Sequence, residues 1–109
     1  MRFCDYLRVP YLLDARLVET SPGVWINRVS YPELGDCVAE SPSLETALHE
    51  LERRRLLAII GLLDRGQVPP VPRPPLRSSD PLWIAEHSDM PADVLSRIRQ
   101  DDTRAISPA

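Results

Sequence analysis

Residues 41–66, SPSLETALHELERRRLLAIIGLLDRG, decide the architecture. Ser43 can cap a helix by accepting from its first-turn amides, and Glu45 sits where the positive end of the helix dipole favours a carboxylate. Ser41 is the alternative cap, with Pro42 at the first helical position. The helix runs to about Arg65 and stops at Gly66. About 22 residues at 1.5 Å each make roughly 33 Å, enough to cross the back of a small sheet. At 100° per residue Leu44, Ala47, Leu48, Leu51, Ala58, Ile59 and Leu62 form one stripe, the face expected to pack on that sheet. Arg55 falls near the centre of the stripe, whereas Leu56, Leu57 and Ile60 lie outside it. The second half of the helix is therefore apolar nearly all round and should not face water. Either another chain or the C-terminal part of this one must cover it. Leu56, Leu57, Ile60 and Arg55 are accordingly the candidate interface for a partner or for self-association.

The chain before this helix reads as strands. Tyr11 to Thr20 alternates, with Leu13, Ala15 and Leu17 on one face and Asp14 and Arg16 on the other. Ser21-Pro22-Gly23 signals a turn, and Val24 to Tyr31 resumes the alternation with Trp25, Val29 and Tyr31 on one side. Pro32 to Asp36 is a second tight connection, and Cys37 to Glu40 a short third strand. After the helix, Val68 to Leu76 carries five prolines in seven positions (69–75), which exclude a central strand but allow an extended edge strand. Its PxxP spacings are common in any proline-rich run. Leu82 to Glu86 reads as a strand, Pro91 to Arg99 as a short helix, and Asp101 to Ala109 as a frayed terminus. The fold class is α+β: a three-stranded antiparallel meander, one long helix packed on it, a Pro-rich edge strand (β-β-β-α-β) and a short C-terminal helical tail. The expected domain boundary puts the α+β domain at residues 1–76 and a C-terminal extension at 77–109.

Composition narrows the function classes. The 109 residues contain 13 basic side chains, all arginine, against 16 acids, for a net charge of −3. That balance disfavours autonomous nucleic-acid binding, which relies on phosphate neutralisation. The longest apolar stretch, Leu56 to Leu63, is far below the roughly 20 residues of a membrane span. Met1 to Leu12 carries Asp5, Arg8 and Pro10 and lacks a secretory pattern, so a cytoplasmic protein with reduced Cys4 and Cys37 is expected. Four scattered glycines make no phosphate loop. His49 reads as part of a solvated helix face and His87 as a loop residue, and neither has a cysteine or acid at metal-ligand spacing. No nucleophile–base–orienter set emerges. An enzyme, a cofactor and a metal are thus not expected. Arg53 and Arg54 lie three and four residues after Glu50 and can pair with it. Arg55, on the apolar stripe, must snorkel or find an acid such as Glu40 or a partner's carboxylate.

The segment Tyr31 to Leu48, YPELGDCVAESPSLETAL, resembles the HicB family of antitoxins. Tyr31, Pro32, Glu33 and Leu34 match the family's aromatic-Pro-acid-Leu element. Cys37 matches its cysteine, Ser43 its helix cap, and Ala47 and Leu48 its helix start, while Val68 to Pro75 falls where the family places its last edge strand. The similarity covers about residues 9–76. It implies a partial double-stranded-RNA-binding-like fold that oligomerises, and a non-enzymatic antitoxin that neutralises a small basic HicA-type mRNA interferase by occluding its active surface. The acidic charge agrees with a basic protein partner. The alternatives are a HicB-like accessory subunit of another assembly, docking through its tail, or a DNA-binding autorepressor. The last has only Arg97, Arg99 and Arg104 after position 90, set against Asp93, Asp101 and Asp102.

Overall fold

The computed structural model describes residues 1–106, with side chains through Asp101. In chain order the elements are α1 (Phe3–Leu7), β1 (Asp14–Ser21), β2 (Val24–Tyr31), β3 (Cys37–Ser41), α2 (Leu44–Asp64), α3 (Pro81–His87) and α4 (Ala92–Ile106). They belong to two compact units. Tyr11–Pro70 holds the three strands and α2, while Met1–Pro10 and the chain from Val71 onward hold the other helices. The expected boundary at 76/77 does not coincide with this division, which joins the first ten residues to the C-terminal part.

In the sheet unit the alternation and its turns produce the meander. Gly23 takes φ +77°, which β-carbon-bearing residues avoid, and lets β1 and β2 reverse into an antiparallel pair. Ala15 lies opposite Val29, Leu17 opposite Asn27 and Glu19 opposite Trp25, before an irregularity between Glu19 and Ser21. Pro32–Leu34 forms a 3-10 turn closed by the Gly35 amide on the Pro32 carbonyl. β3 then pairs with β2, Tyr31 opposite Cys37 and Asn27 opposite Ser41, so the order is β1-β2-β3.

Ser43 is the cap of α2, its Oγ accepting from the Thr46 amide at 3.3 Å. At the far end the Gln67 amide reaches the Leu62 carbonyl and the Gly66 amide the Leu63 carbonyl, a Schellman stop with Gly66 at φ +72°. Ala47, Leu51 and Ile59 of the expected stripe are buried, together with Val29, Ala39 and Cys37 of the sheet, whereas Leu44 at the start of the stripe is exposed. Among the described residues no helix is long and apolar enough to cross a membrane.

The expected edge strand at Val68–Leu76 is not formed. Proline has no amide hydrogen, and five of them deprive the segment of the donors a ladder needs. A backbone bond from the Leu76 amide to the Arg8 carbonyl at 2.9 Å fastens its end to the N-terminal residues.

In the helical unit, the expected strand Leu82–Glu86 is instead α3. Asp80 Oδ1 accepts from the Leu82 and Trp83 amides, and Pro81 occupies the first helical turn. α1 was not anticipated. Its start is fixed by Asp5, which accepts from the Arg2 amide at 2.9 Å. The expected Pro91–Arg99 helix extends as α4 to Ile106, past the point read as frayed; residues 107–109 lie outside the described residues. α1 secures that extension, since Asp101 accepts from the Cys4 amide at 3.0 Å and the Arg97 guanidinium stacks over Phe3 at 4.4 Å. Cys4, Leu7, Ala85 and Ile98 are fully buried in this unit.

Candidate protein-binding surface

Two hydrogen bonds show which face of the sheet α2 covers. Tyr31 Oη donates to Glu52 at 2.6 Å, and Asn27 Nδ2 donates to the Pro42 carbonyl at 3.0 Å. The odd-numbered residues of β2 therefore face α2, and so do Ala15, Leu17 and Glu19 of β1, which lie opposite them.

Beneath α2 lies a polar cluster. Glu52 takes the Tyr31 hydroxyl and, at 3.2 Å, Arg55 Nε. Arg55, 5% exposed, thus finds its acid one turn away on its own helix rather than at Glu40, which pairs with Arg28 at 2.8 Å. The Tyr11 ring lies 6.1 Å from that of Tyr31, and its hydroxyl donates to the Pro70 carbonyl. Burial pushes the Tyr31 hydroxyl well above its ordinary value, reinforced by its hydrogen bond to Glu52 and opposed by Arg55. Burial also raises the Tyr11 hydroxyl and the Cys37 thiol, in both cases against the pull of Arg55. A thiol held protonated in this way is a poor nucleophile. Among the described residues every buried side-chain nitrogen and oxygen has a partner, so these groups are engaged in holding helix to sheet.

The residues that carry the family resemblance belong to the same framework. Leu34, Cys37 and Ala47 are core, Tyr31 fastens α2, and Leu48 is half-buried on that helix. Pro32 opens the 3-10 turn and Glu33 accepts from the Leu12 amide at 2.7 Å. Of the expected interface on α2, Leu56, Ile60 and Arg55 are already buried in the single chain, leaving Leu57 exposed. Arg53 and Arg54 both reach Glu50, at 3.7 and 3.1 Å. His87 stacks on Trp83 with ring centroids 4.0 Å apart. Arg97 is engaged with Phe3 and Arg99 faces Glu86 at 3.7 Å, while the Arg104 side chain lies outside the described residues. Among the described residues no three His, Cys, Asp or Glu side chains are grouped to hold a metal ion.

The uncovered apolar surface lies elsewhere. Three strands are about 14 Å wide and one helix about 10 Å, so a single helix cannot roof the whole sheet. α2 packs chiefly on β3 and less on β2, and β3 ends opposite Asn27. The far end of the hairpin is therefore left open on the helix side. There Leu17 is 66% exposed and Trp25 54%, and Leu44, which follows the Asn27–Pro42 contact, is 46% exposed. Glu19 and Glu45 are exposed at the same end. The sheet unit also carries the whole net charge, with nine acids against six arginines, while the rest of the chain has seven of each. The alternation assigns Leu17 and Trp25 to the core face, and sequence reasoning accordingly missed this surface; the signal available was the ratio of one helix to three strands. No family model, curated protein or solved structure matches the chain.

Proposed function

We propose that this chain is a non-catalytic protein-binding module of the HicB antitoxin type, acting in the cytoplasm on a small basic partner. The observation that carries this is the coincidence, in one unit, of an exposed apolar patch and the entire excess of negative charge. An exposed tryptophan flanked by leucines has the composition of a binding hot spot, and an acidic surround steers and selects a basic protein. The strand–strand–turn–strand–capped-helix order, with Tyr31, Leu34 and Cys37 in framework positions, supports the family likeness. In such a module the partner would be a HicA-like interferase, neutralised when its RNA-binding surface is covered.

Co-expression with the product of the adjacent gene tests the proposal. A stable, salt-sensitive complex that rescues growth and is weakened at least tenfold by Trp25→Glu is expected. A neighbour that is not a small basic protein, or one that neither binds nor is neutralised, refutes it. An accessory subunit docking through α3 is the alternative, favoured by Trp83, which is 58% exposed in the helical unit. A complex lost with Trp83→Glu and indifferent to Trp25→Glu would select it.

A further inference from the structure

The two edges of the sheet are treated differently. On β3 the Val38 carbonyl accepts from Arg54 of α2, which closes part of that edge. Among the described residues no side chain of another element bonds to the backbone of β1. This strand runs from Asp14 to Glu19 in regular register, without proline, and most of its residues are exposed. Natural edge strands normally carry a bulge, a proline or an inward-pointing charge to prevent pairing, and Asp14 to Val18 have none of these; Glu19 is the first charge on the α2 side. Its irregularity comes only after Glu19, at the hairpin end.

The sequence across this edge, Leu13-Asp14-Ala15-Arg16-Leu17, is self-complementary on reversal. We infer that β1 pairs antiparallel with β1 of a second copy of this chain about a two-fold axis at Ala15, joining two sheets into one of six strands. In that register Asp14 lies opposite Arg16 of the second copy and Arg16 opposite its Asp14, both on the face away from α2. Leu13 and Leu17 meet their counterparts on the α2 side, where both are exposed in the single chain. The alternative registers are worse. An axis at Asp14 or Arg16 puts like charges directly opposite, and an axis at Leu17 sets Arg16 against Val18 and Ala15 against Glu19. Within one chain Asp14 and Arg16 already pair at 2.9 Å, so each copy presents a charge couplet that its two-fold mate completes. This interface shares Leu17 with the patch around Trp25 but not Trp25 or Leu44, so the Asp14/Arg16 exchanges test it separately from Trp25→Glu.

Charge exchange tests it. Native mass spectrometry and sedimentation at about 100 µM, where contacts of transient size are populated, should give a dimer. Asp14→Arg alone, or Arg16→Asp alone, should each weaken it by about tenfold or more, because two symmetric pairs turn repulsive at once. Mixing chains carrying Asp14→Arg with chains carrying Arg16→Asp should restore pairing as a heterodimer, and so should the double exchange Asp14→Arg/Arg16→Asp in one chain. Circular dichroism of each variant, matched to the parent, shows that the sheet survives, and the double exchange keeps the test decisive if one single variant does not fold. A monomer at this concentration overturns the inference. So does a dimer indifferent to both single exchanges, or one the mixed chains fail to restore.

Discussion

Replacing Tyr31 by Phe removes one hydroxyl from the contact that ties β2 to α2. The lost bond, 2.6 Å to a carboxylate, is of the charge-assisted kind, worth about 1.5–3 kcal/mol. Because the Glu52 side chain is 32% exposed, water can take over part of the role, and about 1–2 kcal/mol is expected. For a chain of this size that corresponds to a fall of roughly 4–8 °C in Tm. Urea titration followed by circular dichroism should show a lower midpoint with an unchanged slope, since the surface exposed on unfolding is the same. In a Glu52→Gln background the same change should cost about 0.5–1 kcal/mol, because the acceptor is then neutral. The difference between the two costs, about 0.5–1 kcal/mol, is the coupling between the hydroxyl and the charge. A Tyr31→Phe protein as stable as the parent, or costs that simply add, would refute the role given to this cluster.

The same groups set the alkaline limit. Cys37, Tyr11 and Tyr31 hold their protons more tightly folded than unfolded, so their contribution is complete below pH 9 and is lost as pH rises past the ordinary values of 9.0 for the thiol and 10.0 for the hydroxyls. Urea midpoints from pH 7 to 11 should fall above pH 9, less steeply in Tyr31→Phe, and a flat profile would contradict the burial assigned to these groups. Asp80→Ala should cost about 1 kcal/mol by uncapping α3, and Asp80→Ser should recover most of it; equal thermal stability of all three would remove Asp80 from that role. Gly35→Ala has open space for the added carbon but sits at φ +77° and ψ −128°, outside the left-handed helical region that Asn tolerates, so a loss of about 1–3 kcal/mol is expected in thermal unfolding, with Gly35→Asn no better than Ala; a variant as stable as the parent would contradict the strain.

The sheet and α2 were legible because their signals are local and mutually consistent. The alternation of β1 and β2 is punctuated by Ser21-Pro22-Gly23, and the apolar period of α2 is bounded by Ser43 and Gly66. The failures have particular causes. Leu82 to Glu86 contains strand-prone Trp83 and Ile84, and the local composition outweighed Asp80-Pro81, a cap followed by a first-turn proline that marks a helix start. Five residues of α1 are too few for a period to show. Asp101 looks like terminal polarity until Cys4, 97 positions earlier, is seen to need its carboxylate. The buried half of α2 and the open hairpin end share one cause: periodicity gives the direction of a side chain but not the extent of what lies across from it. The candidate surface around Trp25 was hidden for that reason, whereas Arg55 was recognisable as a charge in need of an acid, though its nearest one was misjudged.

The sheet unit is an insertion. Its two ends are clasped where the Tyr11 hydroxyl meets the Pro70 carbonyl at 2.8 Å, and the helical unit is assembled from segments that flank it. During synthesis the first ten residues must wait for Val71 and beyond to emerge before Leu7 and Val9 can be packed. Bringing those segments together across an unfolded stretch of sixty residues would cost about 3.6 kcal/mol of chain entropy. If the hairpin and α2 form first, most of that cost is met in advance, and the order of emergence from the ribosome becomes the order of assembly. It also follows that deleting the N-terminal ten residues would unsettle helices more than seventy positions away while leaving the neighbouring strands their own framework.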